Sequence, residues 1–255
     1  MNVVVTMAGA GSRFLDAGYK EPKYRITVRG RSLFHWSVSS LLSFARSGYR
    51  FIFVAQRAHG AIDFISRECA ELHIRNFDLI EVDGLTNGQA TTALSAADAV
   101  SDAGMPFAIY NIDTYVEPHA LAAQGVCGAG WIPCFEATGS AWSFVRPGPG
   151  SRVLEVKEKA PISPYATIGL YWFESLHLYK LAYETCYGPG AEGTLTSERY
   201  VAPMYNAIIA AGHEVYFMAV PGAAVHPLGT PSEVKAFGSL AAQPFSKRMK
   251  GCDGR

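Results

Sequence analysis

The residues best suited to chemistry stand at the start of the chain. The stretch Val3 to Phe14, VVVTMAGAGSRF, runs from a β-branched apolar segment straight into Gly9, Gly11, Ser12 and Arg13. Glycine lets main-chain N–H groups approach an anion with no side chain between them. Arginine adds a permanent charge and fork-shaped donors. The combination suits a phosphate-bearing ligand, although glycine is also the ordinary residue of a tight turn. Of two familiar phosphate loops, one fails and the other fits weakly. No G-x-x-x-x-G-K-[ST] string lies near Gly9. The dinucleotide pattern G-x-G-x-x-G meets Phe14 at its third glycine. A second candidate is Asp113, in IYNIDTYV, which follows an apolar strand-like run. A carboxylate there is costly unless it pairs or meets a cation, and ligands of open α/β sheets gather at strand carboxyl ends. Its other reading is the N-cap of a following helix, EPHALAA.

The elements that must position these residues alternate through the first half. NVVVTM, RFIFVA, FDLIEV and PFAIYNID read as strands, as β-branched apolar runs in a buried parallel sheet do. Between them, LFHWSVSSLLSFARS (capped by Ser32), GAIDFISRECAEL and GQATTALSAADAV read as helices. YRITVRGRSLF reads as a hairpin turning at Arg29-Gly30. The second half is richer in strands: GWIPCFEA, AWSFVRPG, SRVLEVKEK, ATIGLYWF and HEVYFMAV, with helices at SLHLYKLAYETCY and SERYVAPMYNAIIAAG. The pattern predicts an α/β fold: a Rossmann-like, mostly parallel central sheet with helices on both faces and antiparallel strands in the second half. One domain is expected over residues 1–240, with a charged, solvated tail over 241–255.

Bulk composition narrows the function classes. The chain has 255 residues, 49% hydrophobic and 17% charged, as an ordinary globular protein has. Lys plus Arg equal Asp plus Glu at 22 each, against the basic surplus of a nucleic-acid binder. Five cysteines, at 69, 127, 134, 186 and 252, form no C-x-x-C pair and read as reduced thiols of a cytoplasmic protein. No apolar stretch approaches the ~20 residues of a membrane span, and the N-terminal run lacks the basic start of a signal peptide.

The motif G-x-G-S-R at a strand end, followed by Pro22-Lys23, resembles the sugar-phosphate nucleotidyltransferase family. Ala8, Gly9, Gly11, Ser12, Arg13, Pro22 and Lys23 match its opening L-A-[AG]-G-x-G-[ST]-R and P-K, while Thr6 and Met7 depart from it. NGQATTAL resembles the family's base-facing loop through Gly88, Gln89 and Ala90. LEVKEKAP resembles its V-x-E-K-P segment through Glu158 and Lys159, with Ala160 inserted before Pro161. ATIGLYWF resembles N-A-G-I-Y-x-F, keeping Gly169 but holding Thr167 where asparagine is usual. With SERYVAPMYNAIIAAG and GTPSEV, the resemblance spans about residues 1–238.

The resemblance implies a GT-A-like nucleotidyltransferase fold and an Mg²⁺-dependent enzyme. Its partners would be an NTP and a phosphorylated small-molecule acceptor; a homo-oligomer is left open. It implies that Arg13, Lys23, Asp113 and Lys159 are catalytic, with Asp113 holding the metal. Nucleotide would contact Ala8, Gly9, Gly11, Ser12, Arg13, Lys23, Gly88, Gln89 and Ala90. Acceptor would contact Glu158, Lys159, Thr167, Gly169 and Glu198. The family's second metal aspartate falls at Pro227, which has no side-chain donor; Glu198 or His226 would substitute. The ending VHPLGTP is similar to a capsule-cluster branch, some of whose members activate acceptors such as a phosphorylated amide of glutamine. Two rivals are a nucleotide-sugar glycosyltransferase, which lacks a full D-x-D here, and a nucleotide-binding domain without catalysis, which Pro227 would suit.

Overall fold

The computed structural model describes residues 1–191 and 198–240. The expected tail, 241–255, with Cys252, lies outside the described residues. In chain order the first half runs β1 (Asn2–Thr6), α1 (Ser12–Asp16), β2 (Thr27–Val28), β3 (Arg31–Ser32), α2 (Leu33–Ser39), α3 (Leu42–Arg46), β4 (Arg50–Gln56), α4 (Ile62–Glu71), β5 (Phe77–Val82), α5 (Gln89–Leu94), β6 (Phe107–Asn111) and β7 (Thr114–Val116). The second half runs β8 (Gly130–Glu136), β9 (Ser143–Pro147), β10 (Val153–Glu158), β11 (Tyr165–Thr167), β12 (Leu170–Phe173), α6 (Leu176–Tyr187), α7 (Tyr205–Ala210), β13 (Val215–Ala219), β14 (Val225–Pro227) and α8 (Pro231–Ser239).

The fold is the expected α/β type. One sheet takes the order β10-β9-β11-β8-β12-β6-β1-β4-β5, with β13 alongside β8. Strands β6, β1, β4 and β5 are parallel. From β12 outwards the path is antiparallel. Side chains alternate across β1 with period two, as a strand dictates. Val3 and Val5 join one core with Phe34, Phe44 and Ile65 from α2, α3 and α4. Val4 joins another with Ala90, Tyr179 and Tyr205 from α5, α6 and α7. Helices therefore cover both faces.

A third, smaller core gathers Phe14, Ile26, Leu33, Trp36, Tyr115, Leu228, Val234 and Phe237. These residues flank the glycine loop, Asp113 and the start of α8, so this core holds them against one another. It also explains Phe14: the aromatic that spoils the dinucleotide pattern is 1% exposed and packs here.

Four elements differ from the sequence expectation. The helix expected over GQATTALSAADAV is limited to α5 and a separate 3₁₀ turn, Ala97–Ala99. The helix expected over 33–47 breaks into α2 and α3 at Ser40-Leu41. ATIGLYWF is two strands, because residues 168–169 leave the ladder between β11 and β12. The helix expected from SERYVAPMYNAIIAAG is limited, among the described residues, to α7 and a preceding 3₁₀ turn, Ala202–Met204. Pro203 has no N–H to donate, and the Arg199 backbone is committed elsewhere: its N–H donates to Asn87 C=O at 2.7 Å.

Candidate active site

Register alone brings the first two candidates together. Strands β1 and β6 are parallel neighbours with Thr6 opposite Asn111. The glycine loop after β1 and the turn after β6 therefore leave the same sheet edge side by side. Asp113 stands in that turn, between β6 and β7, and caps no helix; the short turn Pro118–Ala120 begins after Glu117 instead. The Asp113 carbonyl accepts the Leu228 N–H at 2.8 Å, tying the turn to the end of β14. Lys23 Nζ donates to Asp113 Oδ2 at 2.8 Å across 90 positions of sequence. Their side chains are 19% and 29% exposed, so the pair is partly shielded but reachable.

A cleft of about 610 Å³ opens above this edge. Ala8, Gly9, Arg13, Lys23, Gly88, Gln89 and Asp113 line one part of it. Glu158, Lys159, Thr167, Gly169 and Glu198 line another. Gly11, Ser12, Ala90 and His226 do not reach its wall. Ala90 is fully buried: its N–H donates to Arg199 C=O at 2.9 Å and its carbonyl accepts the Tyr179 hydroxyl at 2.6 Å. His226 turns away and stacks on Tyr115 at 5.4 Å, with Nε2 3.6 Å from Glu117. Burial pushes its pKa below the ordinary histidine value, against the pull of Glu117.

Two glycines have reasons the sequence does not display. Gly88 has φ +106, and a Cβ there would stand 2.4 Å from the Arg199 nitrogen. The loop at Gly88 thus owes its glycine to a backbone crossing it at residue 199. Gly169 has φ +83, and a Cβ there would meet Asn111 Nδ2 at 2.6 Å. Asn111 itself is a cleft residue that sequence reasoning did not single out for a role; its side-chain oxygen accepts from Gln89.

The second part of the cleft is a network. Lys159, at φ 54, donates to the Tyr200 hydroxyl at 2.6 Å and lies 4.7 Å from that ring's centre. Tyr200 donates to Glu198, and Ser143 donates to Glu158. The hydrogen bond to Tyr200 raises the Lys159 pKa. Burial raises that of Glu158, partly offset by Ser143 and Lys159. Thr167 is 3% exposed and hydrogen-bonded to the Tyr171 hydroxyl at 2.9 Å. Ser143, Trp142, Tyr171, Tyr200 and Glu233 line the cleft without having been picked out from the sequence. Tyr171, Tyr200 and Glu233 fall inside ATIGLYWF, SERYVAPMYNAIIAAG and GTPSEV without having been singled out there, while no motif marks Trp142 and Ser143.

Among the described residues, no three His, Cys, Asp or Glu side chains gather into a metal-binding group. No helix among them is long and apolar enough to cross a membrane.

No protein-family model and no curated protein matches the chain. Solved structures do. A nucleoside-diphosphate-sugar pyrophosphorylase from Vibrio cholerae RC9 is similar at 29% identity and a TM-score of 0.86, covering 94% of this chain and 100% of its own. The inositol-1-phosphate CTP transferase of T. maritima shares the fold at 16% identity and a TM-score of 0.72, covering 91% and 90%. A UDP-glucose pyrophosphorylase complexed with UDP-glucose does so at 15% identity and a TM-score of 0.71, covering 93% and 96%. The chain thus shares the α/β fold of these nucleotide-sugar pyrophosphorylases and of the CTP transferase along nearly its whole length.

Proposed function

We propose that the protein transfers a nucleoside monophosphate from an NTP to the phosphate of a small acceptor and releases pyrophosphate. The observation that carries this reading is the composition of one cleft. The glycine loop with Arg13, Lys23 and Asp113 forms part of its wall, and the Glu158–Lys159 network forms another part. An acceptor phosphate oxygen would form the new bond to the α-phosphorus, while the bond to the β-phosphate oxygen breaks and pyrophosphate leaves with the electron pair. That nucleophile is already ionised at neutral pH, so no general base is required. Arg13 and Lys23 would meet the charge of the departing pyrophosphate, and Lys159 would hold the acceptor phosphate. Gly88 and Gln89 would face the base; Glu158, Thr167, Gly169 and Glu198 would face the acceptor.

The residues present fit Mg²⁺. Asp113 offers a hard oxygen donor, and the space a Cβ at Gly229 would fill lies 3.4 Å from its Oδ2. Mg²⁺ takes one or two carboxylates together with phosphate oxygens. When bound it would neutralise triphosphate charge and orient the α-phosphate.

We further propose that the acceptor is not an ordinary hexose 1-phosphate and that the product feeds cell-surface polysaccharide synthesis in the cytosol. Thr167, committed to Tyr171, and the sequence similarity to the capsule-cluster branch support this. The test is a matrix of four NTPs against phosphorylated sugars, polyols, amino alcohols and amides, read by the mass of the nucleotidyl product. Efficient turnover of glucose 1-phosphate or mannose 1-phosphate would overturn the acceptor assignment. Release of a nucleoside diphosphate from a nucleotide sugar would favour a glycosyltransferase instead.

A further inference from the structure

The cleft holds one carboxylate that the proposed nucleotide and acceptor contacts leave unused. Glu233 sits in the first turn of α8 and lines the cleft with Asp113, Pro227 and Gly229. Asp113 Oδ2 and Glu233 Oε2 lie 3.4 Å and 3.6 Å from a single point, the place where a Cβ on residue 229 would stand. Residue 229 is glycine, so no side chain fills that point. Two carboxylates near one small space repel; Asp113 Oδ2 already accepts from Lys23 Nζ at 2.8 Å, which offsets part of that repulsion, and a divalent cation would share Asp113 with that ammonium.

The supports of both groups are fixed. Leu228 N–H binds the Asp113 carbonyl, and Leu228 and Val234 are anchored in the third core. The Glu233 N–H donates to the Thr230 hydroxyl at 3.2 Å, which sets where the side chain leaves the helix. The Glu233 carboxylate has no ion pair among the described residues. Mg²⁺ holds its oxygens at about 2.0–2.1 Å, so both carboxylates would close on the point over Gly229 from 3.4 Å and 3.6 Å. The alternatives are otherwise engaged: His226 stacks on Tyr115, and Glu198 accepts from Tyr200.

We propose that Glu233 is the second carboxylate, with Asp113, of a divalent-cation site over Gly229. This rests on the nucleotidyltransferase reading above. The test measures enzyme-bound Mn²⁺ by water-proton relaxation, with the α,β-methylene analogues of the four NTPs present. Wild type binds Mn²⁺ with at least one analogue. Glu233→Gln weakens that binding on the order of tenfold or more, with its melting temperature checked in parallel. Gly229→Ala fills the point between the carboxylates and weakens binding independently, should Glu233→Gln fold poorly. Glu117→Gln, a carboxylate beside His226, leaves Mn²⁺ binding unchanged. If Glu233→Gln and Gly229→Ala bind Mn²⁺ as wild type does while Asp113→Asn does not, Glu233 is no ligand, and the nucleotidyltransferase reading still stands. If wild type binds no Mn²⁺ with any analogue, the cation and the reading beneath it both fail.

Discussion

Glu158 and Lys159 are adjacent in sequence but meet different surroundings. Lys159 finds a tyrosine hydroxyl, which stabilises its charge, while Glu158 is largely removed from water and resists ionising. A carboxylate whose folded pKa lies above its ordinary value binds protons more tightly in the native state. Its contribution to stability is therefore present below that ordinary value, 4.5, and is lost as pH rises through the raised one. Glu158→Gln removes this loss. Urea unfolding at pH 4 and pH 7 should show the variant gaining on wild type towards pH 7; a flat or reversed difference would contradict the burial argument. Asp113 was legible in the sequence because a lone acid after an apolar strand is anomalous. Glu233 was not: GTPSEV carried the resemblance without marking its glutamate, and only the fold brings the start of α8 beside Asp113.

At the scale of elements, the split between α2 and α3 shows how the site is held. Ser37 Oγ donates to the Ile112 carbonyl at 3.0 Å, beside Asp113. Ser40 Oγ accepts the Val116 N–H at 2.9 Å, and Ser43 Oγ donates to the Leu121 carbonyl at 2.8 Å. Serines of the expected helix thus satisfy backbone groups of the segment that follows β6. No periodicity reveals this, since each partner lies some 75 to 78 positions away. The hairpin at Arg29-Gly30, by contrast, was legible because its turn chemistry is local: both residues have positive φ. Ser40→Ala should leave the Val116 N–H buried without a partner, at a cost of about 1–3 kcal/mol. A urea midpoint within error of wild type would show that the serine clamp does not hold the segment.

At the scale of the whole molecule, the parallel strands deliver Asp113 and the glycine loop, and the antiparallel strands deliver the Glu158–Lys159 network. β12 beside β6 joins the two sets. The alternation that foretold this sheet is written in apolar runs, so the fold was readable from sequence. The cleft was readable only where a motif marked its residues; Trp142 and Ser143 enter through strand pairing and chain crossing, and Tyr200, within SERYVAPMYNAIIAAG, shows its part only through its contact with Lys159. The central claim is that this cleft splits an NTP between its α- and β-phosphates for a phosphorylated acceptor. Pyrophosphate release tests it most directly, measured with each NTP and the acceptor panel for wild type, for Asp113→Asn and in the presence of EDTA. The account predicts release that requires both NTP and acceptor, is abolished by EDTA, and falls by roughly 10²–10³ or more in Asp113→Asn. Release undiminished by the substitution or by EDTA, or no release with any pair, would contradict it.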